Sequence, residues 1–130
     1  MLDLDHFKKI NDTYGHPTGD TVLKSLSRLL QQRLRQTDII GRYGGEEFVS
    51  IMLDTDKDNA FHVMEEIRDH FSDIQHYASK HGVFTVTFSC GIATFPEYPS
   101  VQTLVDAADQ ALYKAKANGR NQVVMASIDM

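Results

Sequence analysis

Four acids and a pair of glycines are the residues of this 130-residue chain whose types and spacing could do chemistry. Gly44-Gly45 is followed at once by Glu46-Glu47, and Asp3 and Asp5 flank Leu4 near the start. A tight turn without side chains lets a bulky anion approach the backbone. Carboxylates at its edge can hold a divalent cation against that anion. If the strand ending at Asp3 lies beside a hairpin carrying Glu46, the two acids converge on one ion. That arrangement suits phosphoryl transfer, where catalysis is mostly positioning and neutralisation of charge. Taken singly, acids at strand ends and turns are most often solvated; only the joint pattern points to a site.

Lys8, Lys116 and Arg120 are candidate phosphate contacts. Lys116 falls in the last turn of a predicted helix and Arg120 just past Gly119, where cations also complement the helix dipole. Spacing alone favours that plainer role. Asn11 and Asp20 are candidate base readers: guanine offers N1–H and N2–H₂ donors that one carboxylate can accept together, a pair adenine lacks. Asp20 near a helix start also suits a cap or dipole partner, which is the stronger reading without other information. Arg35 and Asp38 form either a local ion pair worth a few tenths of a kcal/mol or an anion site for a nucleotide product. The six histidines show no recurring metal-binding spacing, so no zinc site is expected. Cys90 falls on the apolar side of an alternating run and is expected in the core.

The elements that must position these residues follow from periodicity. Met1 to Leu4 resembles the end of a strand, and His6 to Tyr14 a short helix stopped at Gly15. Leu23, Leu26, Leu30 and Leu34 recur on one face and predict a helix from Asp20 to about Gln36. A hairpin follows, with Ile39-Ile40 leading in, Gly44-Gly45 at the turn and residues 48–53 leading out. Residues 59–80 predict a second long helix, with Ala60, Met64, Ile67, Phe71, Ile74 and Ala78 on one stripe. Alternation from Val83 to Cys90 predicts one half-buried strand, extended after Gly91 through Phe95. Thr103 is the expected N-cap of a last helix, with Asp106 three residues on. Asn118-Gly119 is its expected end, and Gln122 to Ala126 the closing strand. Helices alternating with a sheet that contains a hairpin define an α/β or α+β class with one sheet.

Bulk properties fit one domain with a real core: 42% of residues are hydrophobic. A formal charge of −5 argues against bulk nucleic-acid or anionic-membrane binding, though not against a nucleotide held by a local positive site plus metal. No apolar run approaches membrane-spanning length. The single cysteine excludes an internal disulfide and suits a reducing cytosol. A cytoplasmic domain is therefore expected, either alone or as part of a larger membrane-bound protein.

The chain resembles the GGDEF family of diguanylate cyclases, in its GGEEF variant. Asp3-Leu4-Asp5-His6-Phe7-Lys8-Lys9-Ile10-Asn11-Asp12 is similar to the family's DxDxFKxxND segment, and Gly15-His16-Pro17-Thr18-Gly19-Asp20 to GHxxGD. Arg42-Tyr43-Gly44-Gly45-Glu46-Glu47-Phe48 is similar to RxGGDEF, and Ser89-Cys90-Gly91-Ile92-Ala93 to SxGIA. Ala108 to Lys116 with Gly119-Arg120-Asn121 is similar to ADxALYxAKxxGRN. These segments run in order along the whole chain. The resemblance implies a palm-like nucleotide cyclase fold, with a central, mostly antiparallel sheet surrounded by helices. It implies condensation of two GTP into cyclic di-GMP and pyrophosphate across a homodimer, with Mg²⁺ or Mn²⁺ as cofactor, two ions per site.

Carried over by position, Asp3 and Glu46 would ligate metal with the carbonyl of Leu4, and Glu47 would assist at the second ion or the attacking hydroxyl. Gly44 and Gly45 would admit the nucleotide, and Asn11 and Asp20 would read guanine. Lys8, Lys116 and Arg120, with the backbone N–H groups of His6 and Phe7, would hold the β- and γ-phosphates. Arg35 and Asp38 match the family's RxxD inhibitory site for cyclic di-GMP. Family members usually begin with a helix and a full first strand, whereas here Met1 almost abuts Asp3. The expectation is an N-terminally truncated domain or a fragment, fused in the full protein to a sensory or regulatory domain. An open sheet edge that loosens Asp3 or invites strand exchange is expected with it. Two other functions fit the same residues: a catalytically silent module binding GTP or cyclic di-GMP, and a metal-dependent cyclase of relaxed base choice.

Overall fold

The computed structural model describes residues 1–128. The chain runs β1 (Leu2–Leu4), α1 (Phe7–Tyr14), α2 (His16–Arg33), β2 (Ile39–Gly44), β3 (Glu47–Ile51), α3 (Lys57–Asp73), β4 (His76–Ala78), β5 (Gly82–Phe84), β6 (Phe88–Ile92), α4 (Val101–Ala117) and β7 (Val123–Met125). Five strands form one sheet in the order β2-β3-β1-β6-β7, and β4-β5 form a separate two-stranded ribbon. Every pairing is antiparallel except β6 with β7. The expected α/β (α+β) class, with a mostly antiparallel central sheet and surrounding helices, is what the chain adopts. Among the described residues, no helix is long and apolar enough to cross a membrane.

Register and the two-residue period of strands divide the sheet into two faces. Leu2 lies opposite Phe48 and Cys90, and Leu4 opposite Phe88. These five are buried with Leu26 and Leu30 of α2 and with Met64, Ile67 and Phe71 of α3 in one core cluster. Each such side chain removed from water contributes roughly 1.5–3 kcal/mol. Asp3 lies opposite Glu47 and Ser89, and so points to the other face. α4 covers that face over β6, at Gly91. A Cβ added there would come within 2.2 Å of the Ala108 carbonyl oxygen and 2.3 Å of the Leu112 nitrogen.

Several boundaries differ from expectation. α2 begins at His16 rather than Asp20, with a proline in its first turn, where the fixed φ suits a helix start. It ends at Arg33 rather than Gln36, since Leu34 is extended at ψ 157°. α3 stops at Asp73, well short of residue 80, and Ala78 belongs to β4. A repeat of four satisfies a strand's period as well as a helix's: His76 and Ala78 are buried and Tyr77 is exposed. Gly82, at φ 78°, then allows the chain to fold back into β5. The single strand expected over 83–90 is divided between two sheets: Phe84 pairs with His76 in the ribbon, and Phe88 with Leu4 in the main sheet. β6 ends at Ile92, and Phe95 is 72% exposed rather than part of the sheet.

The last helix is capped by Ser100. Thr103 serves as the reciprocal partner of a capping box, donating its N–H to Ser100 Oγ at 3.1 Å and accepting the Ser100 N–H at 3.2 Å. β1 is paired on both sides and lies at the centre of the sheet, so the expected open edge beside Asp3 is not found.

Gly91→Ala is expected to cost at least about 3 kcal/mol in chemical denaturation, because the added methyl meets helix backbone that cannot turn aside. An unchanged midpoint would show that α4 does not approach β6 this closely.

Candidate functional site

β2 and β3 meet in a two-residue turn, Gly45-Glu46, one residue later than Gly44-Gly45. Gly45 takes φ 45°, which favours glycine, and the register shifts between Arg42 and Gly44. Glu46 is therefore a turn residue, whereas Glu47 is the first residue of β3 and pairs with Asp3. The turn is held from two sides. The Arg42 guanidinium donates to the Gly45 carbonyl at 2.6 and 3.2 Å, and the Leu4 N–H reaches the Glu46 carbonyl at 3.4 Å.

Asp3 is 4% exposed. Its Oδ2 accepts from the Lys116 ammonium in the last turn of α4, while Oδ1 has no partner. Burial pushes the Asp3 pKa up from 3.8 to about 6. The Lys116 hydrogen bond and charge draw it back down, and the negative charges of Glu46 and Glu47 push it further up. The three acids thus share one electrostatic site, which Lys116 joins. A buried carboxylate with a free oxygen, beside two more acids and a main-chain carbonyl, fits a hard divalent cation. Among the described residues, no three His, Cys, Asp or Glu side chains gather closely enough to hold an ion by themselves.

The other expected residues lie around this centre. His6 takes φ 58° and caps α1, so Phe7 is the first residue of the helix and its early N–H groups lack intrahelical acceptors. Lys8 is exposed on α1, and Arg120 is exposed just beyond α4. Asn11 Oδ1 is buried without a partner, and it packs so closely on Gly19 that a Cβ there would come within 1.9 Å. Asn11 is thereby brought to the start of α2, where Asp20 follows Gly19. Asp20 lines an open cleft of about 340 Å³ between α2 and the hairpin, with Leu23, Lys24, Ser27, Arg42 and Phe48.

Arg35 and Asp38 lie at the opposite end of the hairpin, beside Ile39, which pairs with Ile51. Asp38 accepts the Arg35 N–H at 2.9 Å and its guanidinium at 3.3 Å. That guanidinium also donates to Thr55 Oγ1 at 2.6 Å and to the Leu53 carbonyl. The local ion pair is present, in a turn tied to the chain after β3. Cys90 is buried in the core, where burial raises its thiol pKa.

Sequence reasoning passed over three residues here. Lys24 and Arg42 border the cleft, and only the packing of α2 on the hairpin brings them together. Asp5, buried at 3% exposure, carried a signal in its spacing from Asp3 but received no role.

The fold and the acids on its sheet define a nucleotide-cyclase-like α/β domain. The chain matches the family described as "Diguanylate cyclase, GGDEF domain" over residues 1–122. It is 45% identical over 127 residues to the response regulator PleD of Caulobacter vibrioides, covering 95% of this chain and 28% of PleD. It superposes on the GGDEF domain of DgcB from Caulobacter crescentus, solved in complex with c-di-GMP, with a TM-score of 0.90 at 35% identity. That match covers 96% of this chain and 74% of the other. It also superposes on the active GGEEF domain of a Vibrio cholerae diguanylate cyclase with a TM-score of 0.87 at 35% identity, over 97% and 80% of the two chains. This chain belongs to the GGDEF family. It spans about a third or less of the curated relatives it matches.

The raised pKa of Asp3 sets a pH dependence. The folded state binds a proton there that the unfolded state releases between pH 3.8 and about 6, so ionised Asp3 opposes folding above that window. Without metal, Asp3→Asn should be more stable than the unsubstituted chain at pH 8 by about 3 kcal/mol. Thermal melts should show the gap closing as pH falls through about 6 toward 3.8. A gap constant with pH would count against the shared acid site.

Proposed function

We propose that the chain is the catalytic domain of a diguanylate cyclase, joining two GTP into cyclic di-GMP with release of two pyrophosphates. The observation that carries this reading is Asp3: a buried carboxylate with a free oxygen, set across the strand pair from Glu47 and beside the Glu46 turn.

Asp3, Glu46 and the Leu4 carbonyl would hold Mg²⁺ or Mn²⁺, with Glu47 at a second ion and substrate phosphates completing the ligand set. Bound metal would neutralise phosphate charge and favour ionisation of the attacking hydroxyl. Asp20 and Asn11 would orient guanine, Asp20 by accepting from N1–H and N2–H₂. Gly44 and Gly45 would leave room for the nucleotide at the turn. Lys8, Lys116, Arg120 and the N–H groups of His6 and Phe7 would bind the β- and γ-phosphates, which leave together as pyrophosphate. One site holds one GTP, so the 3′-hydroxyl of one must attack the α-phosphate of another across two facing domains. Activity would then depend on a homodimer. Arg35 and Asp38 would bind the product and slow turnover. Fusion to a sensory or regulatory domain fits the chain's share of its relatives' length.

The Lys116–Asp3 contact favours a second reading, in which the same cleft binds GTP or cyclic di-GMP without turnover. Incubation of concentrated protein with GTP and Mg²⁺, with products identified by mass, separates the two. Cyclic di-GMP is the expected product, and its absence under saturating GTP would favour the binding module. ATP in parallel tests base choice.

Glu46→Ala should lower turnover at least about a thousand-fold while the circular-dichroism spectrum stays native. Retained turnover would remove Glu46 from the metal site. Arg35→Ala should shift product inhibition to at least about ten-fold higher cyclic di-GMP. An unchanged inhibition curve would remove the inhibitory role.

A further inference from the structure

Asp5 has no part in the chemistry above, yet it is among the most thoroughly satisfied acids in the chain. Its Oδ2 accepts Thr87 Oγ1–H at 2.7 Å and the Asn121 main-chain N–H at 3.0 Å, and its Oδ1 accepts Ser89 Oγ–H at 2.7 Å. Thr87 and Ser89 belong to β6 and its approach, whereas Asn121 belongs to the loop joining α4 to β7.

That loop is left-handed at three successive residues: Gly119 at φ 112°, Arg120 at 65° and Asn121 at 48°. Arg120 here takes a conformation that residues with a Cβ rarely adopt, and it persists only where the surroundings impose it. Two clamps do so. Asp5 takes the Asn121 N–H, and Arg68 of α3, itself braced by Glu65, donates to Asn121 Oδ1 at 2.7 Å. Arg120 sits between the helix end, where its N–H bonds the Ala115 carbonyl at 2.9 Å, and the clamped Asn121. Asp3 and Asp5 share one face of the chain leaving β1. Asp3 takes the Lys116 ammonium, and Asp5 takes the backbone beside Arg120.

We propose that Asp5 is a positioning residue that holds the 119–122 turn left-handed, so that Arg120 stands with Lys116 toward the phosphates of a bound nucleoside triphosphate. This rests on the phosphate role proposed above for those two cations.

The test compares Asp5→Ala, which removes both acceptor oxygens, with Ser89→Ala, which spares the Oδ2–Asn121 bond. Amide exchange without ligand reads the turn, and calorimetry with GTP and with GMP reads phosphate binding apart from base binding. In Asp5→Ala, exchange at Asn121 should accelerate at least about ten-fold relative to the β6 amides. The ratio of GTP to GMP affinity should fall about ten-fold, with GMP affinity unmoved. Ser89→Ala should melt earlier yet keep both values. Unaltered or uniformly accelerated exchange in Asp5→Ala would overturn the proposal, as would an equal loss of the affinity ratio in Ser89→Ala. Should the unsubstituted chain bind neither nucleotide, the GTP-site reading fails, and exchange at Asn121 still decides whether Asp5 holds the turn.

Discussion

β1 is only three residues long, but it is hydrogen-bonded on both sides, to β3 and to β6. Its alternation divides the molecule. Leu2 and Leu4 enter the apolar core with Phe48, Phe88 and Cys90, while Asp3 is forced onto the opposite face. The core thereby fixes the height and direction of the carboxylate. A slip of one residue in either pairing would place Asp3 among the phenylalanines and the leucines in the site, so correct packing and a correct site are one condition.

The two buried acids at this end of the sheet show how environment separates roles. Asp5 is surrounded by donors and joins β1, β6 and the turn after α4. Asp3 has one cation, one unpartnered oxygen and two like charges nearby, and its pKa rises to about 6. Full satisfaction makes a brace; incomplete satisfaction leaves a group that favours a cation or a proton. Lys116 balances part of that charge and ties α4 to the strand it covers.

Long apolar stripes were legible as helices because their burial is local in origin: Leu23, Leu26 and Leu30 face one core from one element. Failures came where two periods coincide or where partners are distant. Ile74 and Ala78 fit a helix by spacing, but Ala78 is buried in a strand opposite Gly82. The run from Val83 to Cys90 keeps its alternation while its two ends pair with different strands, which no local pattern encodes. The hairpin turn moved by one residue, and that small change gave Glu46 and Glu47 different surroundings.

By itself the sequence determined the family, the acids and cations available for chemistry, and the helices whose apolar faces repeat every three or four residues. These depend on residue type and near neighbours, which are present in the linear order. Tertiary structure decided that Asp3 is buried while Lys8 and Arg120 are exposed, that Lys116 reaches Asp3, and that Asp5 serves the fold around the site. Each of those outcomes depends on contacts between segments far apart in the chain, up to 116 residues in the case of Asp5 and Asn121. Desolvation and charge coupling act through space, so they came into being only when the sheet brought those segments together.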